Sequence, residues 1–118
     1  MCGIVGGITE RNVVPILVEG LKRLEYRGYD SAGIAFQEQK KIALIKSLGR
    51  VKDLENKLNK NTSSNAGIAH TRWATHGIPS EKNAHPHVSN KNIYVVHNGI
   101  IENHEDLKSE LKSEGFKL

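Results

Sequence analysis

The hydrophobic pattern at the start of the chain predicts a strand followed by a helix. Residues 2–9 are β-branched and glycine-rich, which predicts a buried strand that carries Cys2 at its very start. Asn12 can then cap a helix that tolerates Pro15 in its first turn and ends at Gly28. One apolar face of this helix is predicted to consist of Ile16, Leu17, Leu21 and Leu24.

The middle of the chain predicts a hairpin and a short helix. A turn at residues 30–31 leads into strands over 32–37 and 42–47, which flank the polar segment 38–41. Residues 51–59 carry apolar side chains at helical spacing, so a short helix is expected there.

The last part of the chain combines two strands, a long loop and a helix. Residues 66–71 predict a strand, and from its end to about residue 92 the sequence has little periodicity. A loop of this length is uncommon in a compact domain and is usually functional. Residues 93–97 predict another strand, Asn103 can cap a final helix, and Gly115 fits the end of that helix. Such an order of strands and helices predicts an α+β fold.

Composition narrows the class of protein. The chain of 118 residues is long enough for one domain, and its 37% of hydrophobic residues permits a modest core. It has no run of about 18 apolar residues that could span a membrane, and no secretory signal. A single cysteine excludes an internal disulfide and fits a reducing, cytoplasmic setting.

The net charge of +4 raises the hypothesis of a nucleic-acid-binding domain. The basic residues, however, are mixed with acidic ones, and no basic stripe with interleaved aromatic residues occurs. A solvated surface explains the charge better, so nucleic acid is not expected as a partner.

Cys2 combines two chemical groups if Met1 is removed. Its side chain supplies a thiol with an ordinary pKa of ~8.5, and its backbone supplies a free amine with a pKa of ~7.7–8.0. Near neutral pH the amine can accept the thiol proton, directly or through a water, so one residue provides nucleophile and base. The alternative is that this cysteine is a small buried hydrophobe.

Asn98 and Gly99 follow the last predicted strand and can stabilise negative charge. The asparagine side-chain amide and the glycine backbone N–H are neutral donors, and glycine allows close approach of the backbone. The alternative is a type I′ hairpin turn, for which Asn-Gly is also typical.

Arg72 is the candidate anchor for a substrate carboxylate, because a guanidinium binds carboxylates through two parallel hydrogen bonds. Trp73 can line a pocket beside Arg72, and Thr75 and His76 can add polar contacts. The alternative is a surface arginine next to a core tryptophan.

The histidines do not form a recognisable metal site. Although His85 and His87 lie two positions apart, no helical pair of ligands and no cysteine cluster accompanies them. Phosphate-binding glycine loops are also absent from the sequence. Neither a metal nor another cofactor is expected.

Five segments resemble, in order, the class II glutamine amidotransferases. They are residues 1–6, 24–33, 70–77, 83–87 and 96–104. The amino-acid sequences of the second and third segments favour the glutaminase domain of the aminosugar-phosphate synthases. The glutaminase domain of another class II member, such as amidophosphoribosyltransferase, is the alternative.

The resemblance implies a fold and a reaction. The fold would be the four-layer αββα sandwich of the N-terminal nucleophile hydrolases, with residues 1–118 forming only the N-terminal part of the glutaminase domain. Cys2 would attack the side-chain amide of glutamine, form a thioester and release ammonia. Asn98 and Gly99 would form the oxyanion hole, and Arg72 would bind the substrate carboxylate. The remaining implied positions are substrate contacts from Trp73, Thr75, His76, Gly77 and His85, and interdomain coupling through Arg27.

The resemblance also implies partners. Ammonia would pass to a C-terminal sugar-phosphate isomerase or synthase domain outside these residues, which converts fructose 6-phosphate to glucosamine 6-phosphate. The full-length enzyme would be a homodimer. The family's acidic residue for the glutamine α-amino group would lie beyond residue 118. A fragment that binds glutamine without turnover is the competing, non-enzymatic hypothesis.

Overall fold

The computed structural model describes residues 2–27, 30–73 and 82–117. These residues form six strands and three α-helices, and a single 3₁₀ turn, Glu25–Arg27, extends the first helix. The elements in chain order are β1 (Gly3–Ile8), α1 (Val13–Leu24), β2 (Ser31–Glu38), β3 (Lys41–Leu48), α2 (Val51–Lys57), β4 (Ala66–Arg72), β5 (His87–Ser89), β6 (Ile93–Val95) and α3 (His104–Ser113).

The main sheet has four antiparallel strands in the order β1-β4-β2-β3. The strand β4, one of the two central strands, therefore pairs with β1 on one side and with β2 on the other. Gly3 lies opposite Thr71, and Ser31 lies opposite Arg72. Since side chains alternate between the two faces of a strand, this register decides which residues of β4 face the helices.

The core lies between one face of this sheet and the helices α1 and α2. Leu17 and Leu21 of α1 are fully buried against Ile34 and Ala69 of the sheet, and Leu54 of α2 joins them. The opposite face of the sheet carries His70 and Arg72, because these positions alternate with Ala69 along β4. The strands β5 and β6 form a second, smaller antiparallel sheet. Tyr94 of β6 lines a cavity together with residues on that opposite face of the main sheet.

Most predicted elements are confirmed, but two burial predictions are wrong. The first strand is half-buried rather than buried: Ile4 is 42% exposed and Ile8 is 90% exposed, because only alternate residues of β1 face the helices. In α1, Ile16 is 48% exposed. The helix instead turns its Val13, Val14, Leu17, Val18 and Leu21 side into the core.

Three further predictions differ from the structure. Ser31 begins β2 and is fully buried, so it does not form a turn. The short strand β5 lies within the segment predicted as a long loop. Asn103 precedes α3 without a side-chain capping hydrogen bond.

Two predicted helix ends agree with the structure, whereas Gly28, predicted to end the first helix, lies outside the described residues. The Asn12 side chain accepts a hydrogen bond from the Val14 backbone N–H at the start of α1. Gly115, with a φ of +92°, ends α3. No helix among the described residues is both long enough and apolar enough to cross a membrane.

Candidate active site

Cys2 lies immediately before β1, at the edge of the main sheet. Because Gly3 pairs with Thr71, continuing the register by one residue brings Cys2 opposite Arg72. The free, half-buried thiol lies 3.8 Å from the Trp73 carbonyl oxygen, to which it can donate. The fold thus places the candidate nucleophile beside the candidate carboxylate anchor, although 70 positions separate them in sequence.

Asn98 reaches Cys2 from the segment that follows β6. Its Nδ2 donates a hydrogen bond to the Cys2 carbonyl oxygen at 3.1 Å. Its Oδ1 lies 2.8 Å from Nε2 of His70, which is fully buried on β4. The amide group that the sequence singled out therefore joins the nucleophile to a central strand of the sheet.

The alternative of an Asn-Gly hairpin turn is wrong. β6 pairs with β5, which precedes it, and among the described residues no strand that follows Gly99 pairs with β6. Gly99 has a φ of +143°, which strains any residue with a side chain. Asn98 and Gly99 thus form a bend from which the asparagine side chain contacts the backbone of Cys2.

Arg72 and Trp73 reverse the burial expected of a surface arginine beside a core tryptophan. Arg72 is 7% exposed, whereas Trp73 is 51% exposed. The Arg72 backbone is fixed by the Asp30 N–H, which donates to its carbonyl at 2.7 Å. The last residue of β4 is therefore held firmly, and its guanidinium lies in a partly desolvated setting, where a charged partner is bound more strongly.

Three histidine rings lie next to one another beside Arg72, the first two stacked and the third tilted, and they are called the histidine stack below. The ring centroids of His70 and His85 are 4.1 Å apart with a 21° angle between planes, and those of His85 and His87 are 4.3 Å apart. The His97 backbone N–H donates to His85 Nδ1 at 3.4 Å. Of these three histidines, only His85 was expected near the glutamine site from the sequence, and the interactions of His70 were missed.

Burial keeps this histidine stack uncharged near neutral pH. Burial is the largest of the causes that lower the pKa of His85 to about 3, and repulsion from the positive charges of neighbouring histidines and of Arg72 is the next. The pKa values of His70 and His87 are also lowered, first by burial and then by nearby positive charge, while hydrogen bonds with Asn98 and the His97 backbone oppose the shift at His70. Arg72 is thus the group in this cluster that carries positive charge at pH 7.

Gly33 makes the stack possible. It lies opposite His70 in the sheet, so the Cα–Cβ directions at both positions point to the same face. A Cβ atom at Gly33 would lie 1.8 Å from the backbone oxygen of His85. The absence of a side chain therefore allows the segment containing His85 to pack against the sheet beside His70.

We expect Gly33→Ala to destabilise the fold, because the His85 backbone must move to admit the methyl group. The expected loss in the free energy of unfolding is about 1–3 kcal/mol, the usual cost of overpacking. Gly6→Ala is the matched control on the same face, since its Cβ would lie 3.7 Å from the nearest atom, in ordinary contact. Denaturant unfolding of both variants measures the difference, and equal stabilities would contradict this account of Gly33.

Several predicted site residues are not described. Thr75, His76 and Gly77 lie outside the described residues, and so does the side chain of Arg27. Within the described ranges, no three histidine, cysteine or carboxylate side chains come together as a metal-binding group.

A large cavity lies away from Cys2. Its volume is about 840 Å³, and it opens between the main sheet and β6 at the other end of β1, near Ile8 and Tyr94. A second pocket of about 500 Å³ is lined by His85, His97 and Gly99 together with apolar residues of the 95–101 segment. Cavity size alone would thus point away from the cluster of Cys2, Arg72 and Asn98.

No protein-family profile matches the chain. Similar sequences are glutamine–fructose-6-phosphate aminotransferases (isomerizing). The chain is 58% identical to that of Pseudomonas aeruginosa, with 98% of the chain aligned. It is 57% identical to that of Acinetobacter baylyi and 54% identical to that of Legionella pneumophila. The chain spans only 19% to 20% of the length of these curated relatives.

Similar solved structures cover the whole chain at lower identity. The glutamine phosphoribosylpyrophosphate amidotransferase of B. subtilis matches with a TM-score of 0.80 and 25% identity over 100% of this chain and 26% of its own. An allosteric regulatory enzyme of purine biosynthesis matches with a TM-score of 0.74 and 28% identity over 99% of this chain. Glutamine is thus part of the names of the sequence relatives and of the first of these two structures.

Proposed function

Because the chain belongs to the class II glutamine amidotransferases, we propose that it hydrolyses the side-chain amide of L-glutamine with Cys2 as nucleophile. The predicted fold class is confirmed: the chain has the fold of an N-terminal nucleophile hydrolase, and it matches 26% of the length of each of the two solved chains. The observation that carries the proposal is the hydrogen bond from Asn98 Nδ2 to the Cys2 backbone, which brings an oxyanion donor to the nucleophile across the sheet edge.

The reaction uses groups of one residue for nucleophile and base. After removal of Met1, the α-amine of Cys2 takes the thiol proton, and the thiolate attacks the amide carbon of glutamine. The carbonyl electron pair moves onto oxygen, where the Asn98 side chain and the Gly99 backbone N–H stabilise the negative charge. When the intermediate collapses, the C–N bond breaks, and the nitrogen takes the proton from the α-ammonium and leaves as ammonia.

Hydrolysis of the thioester completes the cycle. A water adds to the thioester carbon while the α-amine accepts its proton, so the same oxygen again becomes negative and is stabilised by the same donors. Collapse breaks the C–S bond, returns the thiol and releases glutamate. The products are therefore one glutamate and one ammonia for each glutamine and water consumed.

Arg72 is proposed to bind the α-carboxylate of glutamine. Its burial and its position opposite Cys2 support this role, because a fixed guanidinium beside the nucleophile sets the distance between carboxylate and reacting amide. Trp73, Thr75, His76, Gly77 and His85 are proposed as further glutamine contacts, and Arg27 as the residue that senses the neighbouring domain.

The acceptor is proposed from the relatives. The 54% to 58% identity to glutamine–fructose-6-phosphate aminotransferases, against 25% and 28% for the two solved structures, favours fructose 6-phosphate as the molecule that receives the ammonia. A C-terminal sugar-phosphate synthase domain would bind it, in a homodimeric enzyme that makes glucosamine 6-phosphate. A nucleophilic thiol must stay reduced, which supports a cytoplasmic location.

The proposal is tested by covalent labelling of the full-length protein with an electrophilic glutamine analogue. We expect one adduct on Cys2 of a chain without Met1, formed at the rate at which glutaminase activity is lost, and protection by L-glutamine but not by L-asparagine. Peptide mass spectrometry maps the adduct. Labelling elsewhere, or activity that survives complete labelling of Cys2, would refute the assignment.

A further inference from the structure

His70 lies at the centre of the site, although it takes no part in the mechanism above. It is fully buried on β4, and its Nε2 lies 2.8 Å from Asn98 Oδ1. The other end of the same amide donates to the Cys2 carbonyl at 3.1 Å. His70 is therefore one hydrogen bond away from the group proposed to stabilise the oxyanion.

The orientation of the Asn98 amide follows from these two partners. The Cys2 carbonyl oxygen can only accept a hydrogen bond, so it faces the NH₂ end of the amide. The oxygen end then faces His70, and a ring nitrogen at 2.8 Å from an oxygen acceptor must carry a proton. The contacts thus assign His70 as the tautomer protonated at Nε2.

The second ring nitrogen agrees with this tautomer. His70 Nδ1 is buried and has no hydrogen-bond partner among the described residues. Buried N–H groups without a partner are rarer than buried acceptors without one, so the proton belongs on Nε2. Because burial lowers the pKa of His70, the ring stays neutral near pH 7 and keeps this single proton.

Packing restrains the ring itself. His85 stacks on His70 with centroids 4.1 Å apart, and the missing side chain at Gly33 leaves room for it. A ring held between the sheet and a second ring loses little further freedom when it makes its hydrogen bond. The donor is therefore preorganised before substrate binds.

We propose that His70 is a positioning residue whose Nε2–H fixes the Asn98 amide with its NH₂ group toward Cys2. The inference rests on the proposed glutaminase function. Without this donor, the amide can rotate and present its oxygen to the developing negative charge, which would repel it. His70 thus acts on the reaction through Asn98 and does not touch glutamine.

Replacing His70 by each of the two amide residues separates loss of the Nε2–H donor from loss of the imidazole ring. A glutamine side chain places its NH₂ near the position of histidine Nε2, whereas asparagine places it near Nδ1. We expect His70→Gln to keep kcat within about fivefold of wild type, and His70→Asn to lower kcat by roughly 10–100-fold, less than the ~10²–10³ of removing an oxyanion donor outright. KM for glutamine should change by less than about threefold in both. Equal kcat values in the two variants would overturn the proposal.

A double-mutant cycle tests whether His70 acts through Asn98. Asn98→Ala alone should lower kcat by about 10²–10³-fold, and adding His70→Asn should then have no further effect. If the double variant instead loses kcat by the product of the two single losses, His70 acts independently of Asn98, and the proposal is overturned. Alkylation of Cys2 by iodoacetamide, which forms no oxyanion, should proceed at the wild-type rate in each variant, so it reports that the thiol is intact.

A readout independent of catalysis keeps this inference distinct from the proposed function. The ¹⁵N chemical shifts of His70 in the full-length protein should show a protonated Nε2 and an unprotonated Nδ1. The opposite tautomer would refute the positioning role even if glutamine is hydrolysed. The expected tautomer in a protein that cannot hydrolyse glutamine would instead refute the function and leave the hydrogen bond in place.

Discussion

Replacing Cys2 by alanine should reduce glutamate release from glutamine by at least about 10⁴-fold, the scale of removing a catalytic nucleophile. The loss should appear in kcat, because Arg72 and the other proposed contacts still bind glutamine. Cys2→Ser should be almost as inactive, since a hydroxyl with its much higher pKa is a poorer nucleophile than a thiol beside the same amine. Steady-state glutamate release measures both variants.

The Cys2 variants should fold normally. The side-chain contact that the structure gives Cys2 is a weak one, 3.8 Å from the Trp73 carbonyl, so its loss should change the free energy of unfolding by less than about 1 kcal/mol. Binding of glutamine, measured by calorimetry, should survive in Cys2→Ala. Substantial hydrolysis by a correctly folded Cys2→Ala protein would eliminate the proposed mechanism.

Arg72→Gln should lower kcat/KM for glutamine by about 10²–10³-fold, because the bidentate charge-assisted pair with the α-carboxylate is lost. The same variant should lose almost nothing on 4-aminobutanamide, which is glutamine without its carboxylate. Arg72→Lys should be intermediate, since a point charge cannot make two parallel hydrogen bonds. Kinetics with the two substrates separate loss of this contact from general damage.

Arg23→Gln provides the matched control for Arg72. Arg23 lies on α1, on the other side of the sheet, and its side chain is 80% exposed in a pair with Glu19. Such surface pairs contribute little, so activity on both amides should remain at the wild-type level. If Arg72→Gln weakened the two substrates equally, the carboxylate role would be wrong and a structural role of the buried guanidinium would remain.

The sequence was sufficient to single out candidate site residues but not to predict how they meet in the fold. Cys2 before a strand and Asn98 after one are local features, and both were recognised. The antiparallel pairing of β1 with β4, which brings Cys2 opposite Arg72, depends on strand order in the sheet. Local periodicity carries no information on that order, since it reports only which residues share a face.

Burial was the harder property to predict. Ile16 was assigned to the core because apolar residues cover a wide arc of α1, and the pattern does not show which part of the arc faces the sheet. His70 looked like an ordinary strand residue. Its importance depends on Asn98, 28 positions away, and on a glycine in the neighbouring strand, so it became visible only when the three were placed together.

The hydrogen bond between the Asn98 side chain and the Cys2 backbone also constrains the order of folding. It joins residues 96 positions apart, whereas the hairpin of β2 and β3 joins residues that are close in sequence. Contacts of such long separation carry a large loop-closure cost and tend to form late. A ribosome-bound chain can therefore fold its hairpin before its thiol meets the oxyanion donor. Under the proposed function, incomplete chains cannot consume glutamine, so ammonia production begins only once the segment around residue 98 has been synthesised.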